Sequence, residues 1–330
     1  MPPRAAGRQF GKRKTGKKVV KTLDEMIEEG LLVKGDDPDL QIQRIPFGIP
    51  DLDEILGGGI PRRRITIISG PYSGGKTFLT QLFIKKALED GLQVAYVDTE
   101  QTYDPIWWGK VGMPIDQILV SQPAIGESAV DLIIGLVKAE VDVVVVVSLA
   151  AIIPHEEAEE GAGKKQIGLQ ARLLGKMMRL LLSTKHNSAI VCTNQLRDSI
   201  GGPYPTDTMP GGRAVQFHAS IILRTYRNGW IEEKEIRKGF YMKVVCLKNK
   251  VAEAYKECTL PFLFRGKIDE LGMILDRALE AGLITQKGPW YYIHFGTHDD
   301  ESVLGKNTLL TMLEEDDEMQ THMLAALGGS

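Results

Sequence analysis

Cysteine is scarce in this chain of 330 residues: Cys192, Cys246 and Cys258 are the only three, and no two form a C-x-x-C pair. A disulfide framework is therefore not indicated, and a reducing, cytoplasmic location is expected. Cys192 and Cys246 lie in apolar stretches and read as small buried hydrophobes. Long apolar runs are also missing. The longest, from Val143 to Ile153, is interrupted by Ser148 and is too short to span a bilayer, so no membrane partner is expected. No apolar segment follows the basic start of the chain, which argues against a signal peptide. Internal repeats of the solenoid kind are absent. Acidic residues are missing between Met1 and Lys21, where eight bases occur; a like-charged acidic block, Glu314-Glu315-Asp316-Asp317-Glu318, stands near the other end. The formal net charge of −3 hides this asymmetry. Such blocks are usually solvated and mobile, and the basic one reads either as a solubilising tail or as a nucleic-acid contact.

What the chain does carry is a complete phosphate loop, Gly70-Pro71-Tyr72-Ser73-Gly74-Gly75-Lys76-Thr77. The apolar run Ile65-Thr66-Ile67-Ile68 precedes it and the periodic stretch Phe78-Leu79-Leu82-Phe83 follows, which is the strand–loop–helix context the motif needs. Its glycines let backbone N–H groups turn toward phosphate oxygens, and the following helix adds the positive end of its dipole. Lys76 would reach the β- and γ-phosphates, and the Thr77 hydroxyl would ligate Mg²⁺. A bound nucleoside triphosphate with Mg²⁺ follows.

The pattern along the chain divides in three. Residues 1–40 form a basic tail and a short helix, with Thr22 as N-cap, Glu25 three residues on and Gly30 as the stop. Residues 41–266 alternate strands with helices, which implies a mostly parallel sheet flanked by helices. The strands are 64–69, 92–98, 118–121, 141–147 and 188–193, and the helices are 77–89, 128–140 and 166–185. The β-branched run Val141 to Val147 lacks polar alternation, as in a strand covered on both faces. After Pro210-Gly211-Gly212, residues 215–226, 240–247 and 257–264 read as strands extending the sheet in antiparallel fashion. Residues 267–330 read as a small α/β domain with an acidic tail.

Several segments carry a resemblance beyond the phosphate loop. Tyr96 to Pro105, then Leu119 to Pro123, Thr193 to Arg197, Gly211-Gly212 with Phe217 to Ser220, and Val244 to Lys250 resemble, in order and spacing, RecA-family recombinases of the bacterial and phage branch. Leu52 to Pro61 is also similar to RadA and KaiC-type ATPases. The resemblance runs from Gln41 to Phe264 and more weakly to Ile293, and implies a RecA-like phosphate-loop ATPase core with ATP as its nucleotide.

The resemblance also implies roles. Glu100, two residues past its strand, would orient or deprotonate the water that attacks the γ-phosphate, at the strand ends where such folds bind ligands. Asp104 and Trp107 match adenine-contacting positions, with the Trp107 ring as a stacking face. Gln195 would sense the γ-phosphate and reorder the adjoining loop, and Lys248 and Lys250, alternating on a strand, would reach the neighbouring subunit's nucleotide. DNA contacts would come from Lys164, Lys165, Gly168 and Leu169, from Arg172 and Arg179 on one helix face, and from Ile200, Tyr204, Gly211, Gly212 and Arg213. These residues lie on or beside two loops that match the family's DNA-binding loops, a first from Glu156 to Gln166 and a second from Arg197 to Gly212. Loops as long as the second without secondary structure are usually functional, and it suits a single strand. The helix near Leu23 would dock on an adjacent core, and the C-terminal unit would gate access of duplex DNA.

One position departs from the pattern. Val147 occupies the place where an aspartate normally helps hold Mg²⁺, so weakened hydrolysis is expected. The reading that follows is an ATP-dependent recombinase that forms helical filaments on single-stranded DNA and then pairs it with a homologous duplex. The alternatives are a non-hydrolysing, ATP-clamped coat for single-stranded DNA and a RadA- or KaiC-like repair ATPase.

Overall fold

The computed structural model describes residues 21–159, 168–198, 207–233 and 235–328. By compactness the chain divides into two units, Met1–Ile42 and Gln43–Ser330. In the first, helix α1 (Leu23–Glu28) opens with the expected capping box. The Thr22 hydroxyl accepts from the Glu25 amide at 3.3 Å, and the Glu25 carboxylate accepts from the Thr22 amide at 2.7 Å.

The second unit begins with β1 (Arg44–Ile45), α2 (Pro50–Leu56) and β2 (Ile60–Pro61). Then come β3 (Ile65–Gly70), α3 (Lys76–Glu89), β4 (Val94–Asp98), α4 (Pro105–Lys110), β5 (Ile118–Ser121), α5 (Gly126–Lys138) and β6 (Val143–Val147). These are followed by α6 (His155–Glu159), α7 (Leu169–Ser183), β7 (Ala189–Gln195), β8 (Arg197–Asp198), β9 (Asp207–Thr208) and α8 (Gly212–His218). The strands β10 (Ile221–Glu233), β11 (Ile236–Asn249), β12 (Glu257–Leu263) and β13 (Lys267–Ile268) complete the core.

One nine-stranded sheet, in the order β13-β12-β11-β10-β3-β7-β6-β4-β5, organises that unit. The pairs from β10 to β5 are parallel, and those from β10 to β13 are antiparallel. The all-valine β6 is buried along its whole length, as its lack of alternation demanded. Two apolar layers cover the sheet. Leu79, Phe83 and Ile84 of α3 pack with Val145 and Val147 on one face, while Ile133 of α5 and Met177 and Leu181 of α7 pack with Val144 and Val146 on the other.

The C-terminal segment adds α9 (Glu270–Glu280), the three-stranded antiparallel sheet of β14 (Ile284–Lys287), β15 (Trp290–Ile293) and β16 (Ser302–Leu304), and helices α10 (Lys306–Glu315) and α11 (Asp317–Gly328). Leu275, Ile293, Leu313, Met319 and Met323 form its own apolar cluster.

Three sequence expectations need correction. Residues 215–220 are not strand: α8 occupies Gly212–His218 and the strand begins at Ile221. Gly211 at φ +92° caps the helix in the left-handed region, and Val215 is buried against α7. The first loop is shorter than expected, because His155–Glu159 is helical. The acidic block is not a free tail. It ends α10 and starts α11, where carboxylates suit the N-terminal turn, and Met319, Met323 and Leu327 beyond it are core residues.

Candidate active site

The phosphate loop links β3 to α3 over Gly70 to Thr77, and the antiparallel extension of the sheet walls it closely. A Cβ on Gly70 would lie 2.5 Å from the Thr225 carbonyl oxygen, and one on Gly75 would lie 2.3 Å from Met242 Sδ. Gly75 also holds φ +88° as the N-cap of α3, a left-handed conformation that favours glycine there. Lys76 Nζ donates to the carbonyl oxygens of Gly70 at 2.9 Å and Pro71 at 2.8 Å. Burial lowers its pKa, and the Glu100 carboxylate opposes that shift. Tyr72 stands at the loop's tip, 96% exposed.

Glu100 sits where three adjacent strands end. From β4, the Thr99 and Glu100 amides donate to the Val147 carbonyl oxygen at 2.7 and 3.3 Å, tying the turn to β6. Ser148 Oγ, just past β6, donates to Glu100 Oε1 at 2.5 Å. Gln195 Nε2, at the end of β7, donates to the same oxygen at 3.4 Å. Gln195 is also the register partner of Gly70, the first residue of the phosphate loop. The sheet order β3-β7-β6-β4 thus lines up the loop, Gln195, Ser148 and Glu100 along one carboxyl edge. The Ser148 contact was not legible as such in the sequence, since the two residues lie 48 positions apart.

Val147, 2% exposed, ends β6 with an apolar side chain at the position where the resemblance expects an aspartate. Its register partner is Asp98 on β4. Asp98 is fully buried; its Oδ2 accepts from the Tyr103 amide at 2.8 Å and Gln122 Nε2 at 2.9 Å. Its Oδ1 is buried and has no hydrogen-bond partner. A divalent cation would therefore meet the Thr77 hydroxyl but no carboxylate at residue 147, and the fit of Mg²⁺ to these donors is only partial. Among the described residues no group of three or more His, Cys, Asp or Glu side chains is arranged to hold a metal ion directly.

A cavity of about 620 Å³ opens beside the loop. Ser73 to Thr77 line one side; Trp107, Phe240, Phe262 and Phe264 line the rest with Arg227 and Trp230. Both adjacent tryptophans line the cavity. Trp107 is half exposed, while Trp108 is buried with its ring 4.9 Å from Tyr96 and 4.8 Å from Tyr103. Asp104 does not line the cavity. Its Oδ1 accepts from the Ile106 amide at 2.9 Å, capping α4. The aromatic wall from β10, β11 and β12 was missed by sequence reading, because only the sheet order brings it beside a loop more than 150 positions earlier in the chain.

Lys248 and Lys250 converge, as alternation predicts, but within this chain they bind the end of α8. Lys248 Nζ donates to the carbonyl oxygens of Gln216 at 2.6 Å and Phe217 at 3.1 Å, and Lys250 Nζ donates to that of Phe217 at 3.1 Å. Cations suit the negative end of a helix.

Of the residues assigned to DNA, Lys164, Lys165, Ile200 and Tyr204 lie outside the described residues. The others gather around the packing of α7 on α8. Gly168 caps α7 at φ +88° and Leu169 begins it. A Cβ on Gly211 would lie 2.7 Å from Leu174 Cδ1, and one on Gly212 would lie 3.3 Å from Ala171 Cβ. The start of α7 and the far end of the second loop are therefore in contact, with Arg172, Arg179 and Arg213 exposed. That loop is pinned at its base: Asn194 Nδ2 donates to the Pro210 carbonyl oxygen at 3.0 Å, and Arg197 and Asp198 pair with Thr208 and Asp207.

Comparison with known proteins is consistent along the chain. The RecA N-terminal domain family matches residues 14–269. Protein RecA of Thermus aquaticus is 38% identical over 294 residues, which is 87% of this chain and 86% of that protein. Protein RecA of Synechococcus elongatus is 37% identical over 302 residues (90% and 84%), and that of Arthrospira platensis 34% identical over 328 residues (96% and 88%). Among solved structures, the RadB recombinase aligns with a TM-score of 0.50 at 24% identity, over 67% of this chain and 97% of that one, a likeness of fold.

Proposed function

This chain belongs to the RecA family, and from that premise we propose that it is an ATP-dependent DNA recombinase that assembles on single-stranded DNA, pairs it with a homologous duplex and exchanges strands. The observation that carries this reading is the junction at Glu100, where a carboxylate, Gln195 and the phosphate loop share one edge of the sheet. In the proposed mechanism Lys76 and the loop amides hold the triphosphate. Glu100 orients the attacking water and accepts its proton. Gln195 reports the γ-phosphate to the loop at 197–212, whose far end lies against α7 and the arginines that meet DNA. Mg²⁺, when bound, supplies charge neutralisation on the phosphates, with Thr77 as its protein hydroxyl.

Lys248 and Lys250 act in trans in this reading, reaching the nucleotide of the next subunit. Such a contact is heterologous, and it propagates into a filament when it does not close. Residues 1–40, 41–266 and 267–330 serve as assembly arm, ATPase core and accessory domain. DNA affinity comes from local basic surface and falls as salt rises. A cytoplasmic location accords with the free cysteines, and no described helix is long and apolar enough to cross a membrane.

Val147 favours a second reading, in which ATP clamps the assembly but is turned over slowly or not at all. Two measurements on the full chain decide between them. Electron microscopy with single-stranded DNA and a slowly hydrolysed ATP analogue should show helical filaments, and protein that stays monomeric with both ligands overturns the recombinase reading. Phosphate release that rises on adding single-stranded DNA supports the hydrolysing form; filaments without release support the clamp.

A further inference from the structure

The nucleotide cavity has a cation that no motif predicts. Arg227 lies on β10, two residues past Thr225, whose carbonyl oxygen would stand 2.5 Å and 3.0 Å from a Cβ on Gly70 and Gly74. Residues two apart on a strand share a side, so Arg227 continues the strip of β10 that walls the phosphate loop. The pairing of β10 with β11 then shifts register between Arg227 and Trp230, where Gly229 takes φ +113°. Bulges of this kind re-aim side chains and favour active-site borders. This one brings the Trp230 ring under the arginine, with the guanidinium carbon 4.1 Å from the ring centroid. Trp230 is itself set edge-on to Phe240 and Phe264, both 6.4 Å away on the same cavity wall.

A second arginine, Arg237, also lies over the Trp230 ring at 4.3 Å, but its Nε donates to Glu232 Oε1 at 3.2 Å. Arg227 makes no ion pair among the described residues, and it lines the cavity with Ser73, Lys76 and Thr77. A planar guanidinium fixed on an aromatic face, with its N–H fork free of carboxylate, is a phosphate-recognition group.

We infer that Arg227, stacked on Trp230, is a nucleotide-binding residue whose guanidinium holds the polyphosphate within the same subunit. This rests on the reading that Gly70 to Thr77 binds a triphosphate. It adds a cis cation to Lys76 and assigns the β10 bulge a purpose: it orders a long side chain before the ligand arrives, so that less entropy is lost on binding.

Titration calorimetry of the full-length protein with ATP tests it, alongside displacement of a fluorescent ATP analogue by inorganic tripolyphosphate. Arg227→Ala and Arg227→Gln should each weaken ATP and tripolyphosphate roughly tenfold, the scale of one charge-assisted hydrogen bond. Both variants should stay cooperatively folded without nucleotide, losing only the modest stacking of the guanidinium on Trp230. If the alanine variant fails to fold, the glutamine variant, which keeps a flat polar end without the charge, carries the test. Wild-type affinity in the folded variants overturns the inference, as does a loss for ATP with none for tripolyphosphate, which would place the arginine on the base. Failure of the unsubstituted protein to bind ATP is a distinct result, which overturns the phosphate-loop reading and the inference with it.

Discussion

Gln195 Nε2 donates to Glu100 Oε1 across 3.4 Å, joining the last residue of β7 to the carboxylate beyond β4. The bond is long, at the outer limit of useful geometry. A weak bond between an exposed amide and a half-buried carboxylate is readily exchanged for a stronger one to a phosphate oxygen. The backbone pairs into β8 two residues later, so Gln195 stands next to the base of the loop.

Replacing Gln195 with alanine should therefore weaken ATP binding roughly tenfold, the scale of one hydrogen bond to a charged phosphate, and abolish most of the DNA stimulation of phosphate release, because the lost amide also links the phosphate to the loop. Phosphate release measured with and without single-stranded DNA, beside an ATP titration, reads both quantities. Stimulation that survives intact would remove Gln195 from the coupling.

Val147→Asp should raise the turnover number. The new carboxylate would stand at the end of β6, beside Ser148 and its bond to Glu100, and would complete the metal-holding set that Thr77 begins. Oriented charge of this kind is worth several kcal/mol at a transition state, so about tenfold in rate is a modest expectation. Glu100→Gln in the same background should remove the gain and lower turnover by ~10²-fold or more, the typical contribution of a general base. The cost is burial of a charge at a site now 2% exposed, so the variant should melt lower without nucleotide and recover with Mg²⁺ and ATP. Turnover at or below that of the parent would show that residue 147 does not limit hydrolysis.

Lys76 gives the site a pH signature. Burial depresses its pKa below the ordinary lysine value, despite the opposing Glu100 carboxylate. In the window between the depressed and the ordinary value the unfolded chain binds more protons than the folded one. Lys76 thus makes the free protein more stable as pH rises through that window. ATP affinity should move the opposite way, because the phosphates need the ammonium form. Affinity should fall at a pH below the ordinary lysine range, and Lys76→Arg, which stays protonated, should flatten that fall. Parallel titrations of ATP binding and of urea stability across alkaline pH check both signs.

Much of this was legible from local signals. The phosphate loop, the buried valine strand and the position of Glu100 each depend on residues a few places apart. What the sequence concealed depends on distance along the chain. Val215 and the residues after it are β-branched or aromatic often enough to suggest a strand. The helix there exists because Gly211 turns the chain and Val215 packs against α7. Trp230 and Phe240 fall beside the phosphate loop only because β10 pairs in parallel with β3, a pairing no spacing announces. The acidic block looks like a tail until Met319, Met323 and Leu327 are seen as core.

Lys248 offers a last test, because the free subunit already uses it. Its Nζ and that of Lys250 bind the terminal carbonyl oxygens of α8, and burial, with Lys250 beside it, lowers the Lys248 pKa. In the proposed trans role Lys248 would first have to release that helix end, so assembly and the grip on α8 would compete for one ammonium. Lys248→Ala should lower the stability of the dilute, unassembled protein by about 1 kcal/mol, allowing for its partial exposure. It should also prevent ATP-dependent filament growth. Lys248→Arg keeps the helix contact but alters reach and geometry, so it should restore most of the stability and little of the assembly. Urea unfolding at low protein concentration and electron microscopy at high concentration separate the two effects. Filaments that form normally from the alanine variant would confine Lys248 to its contact with α8.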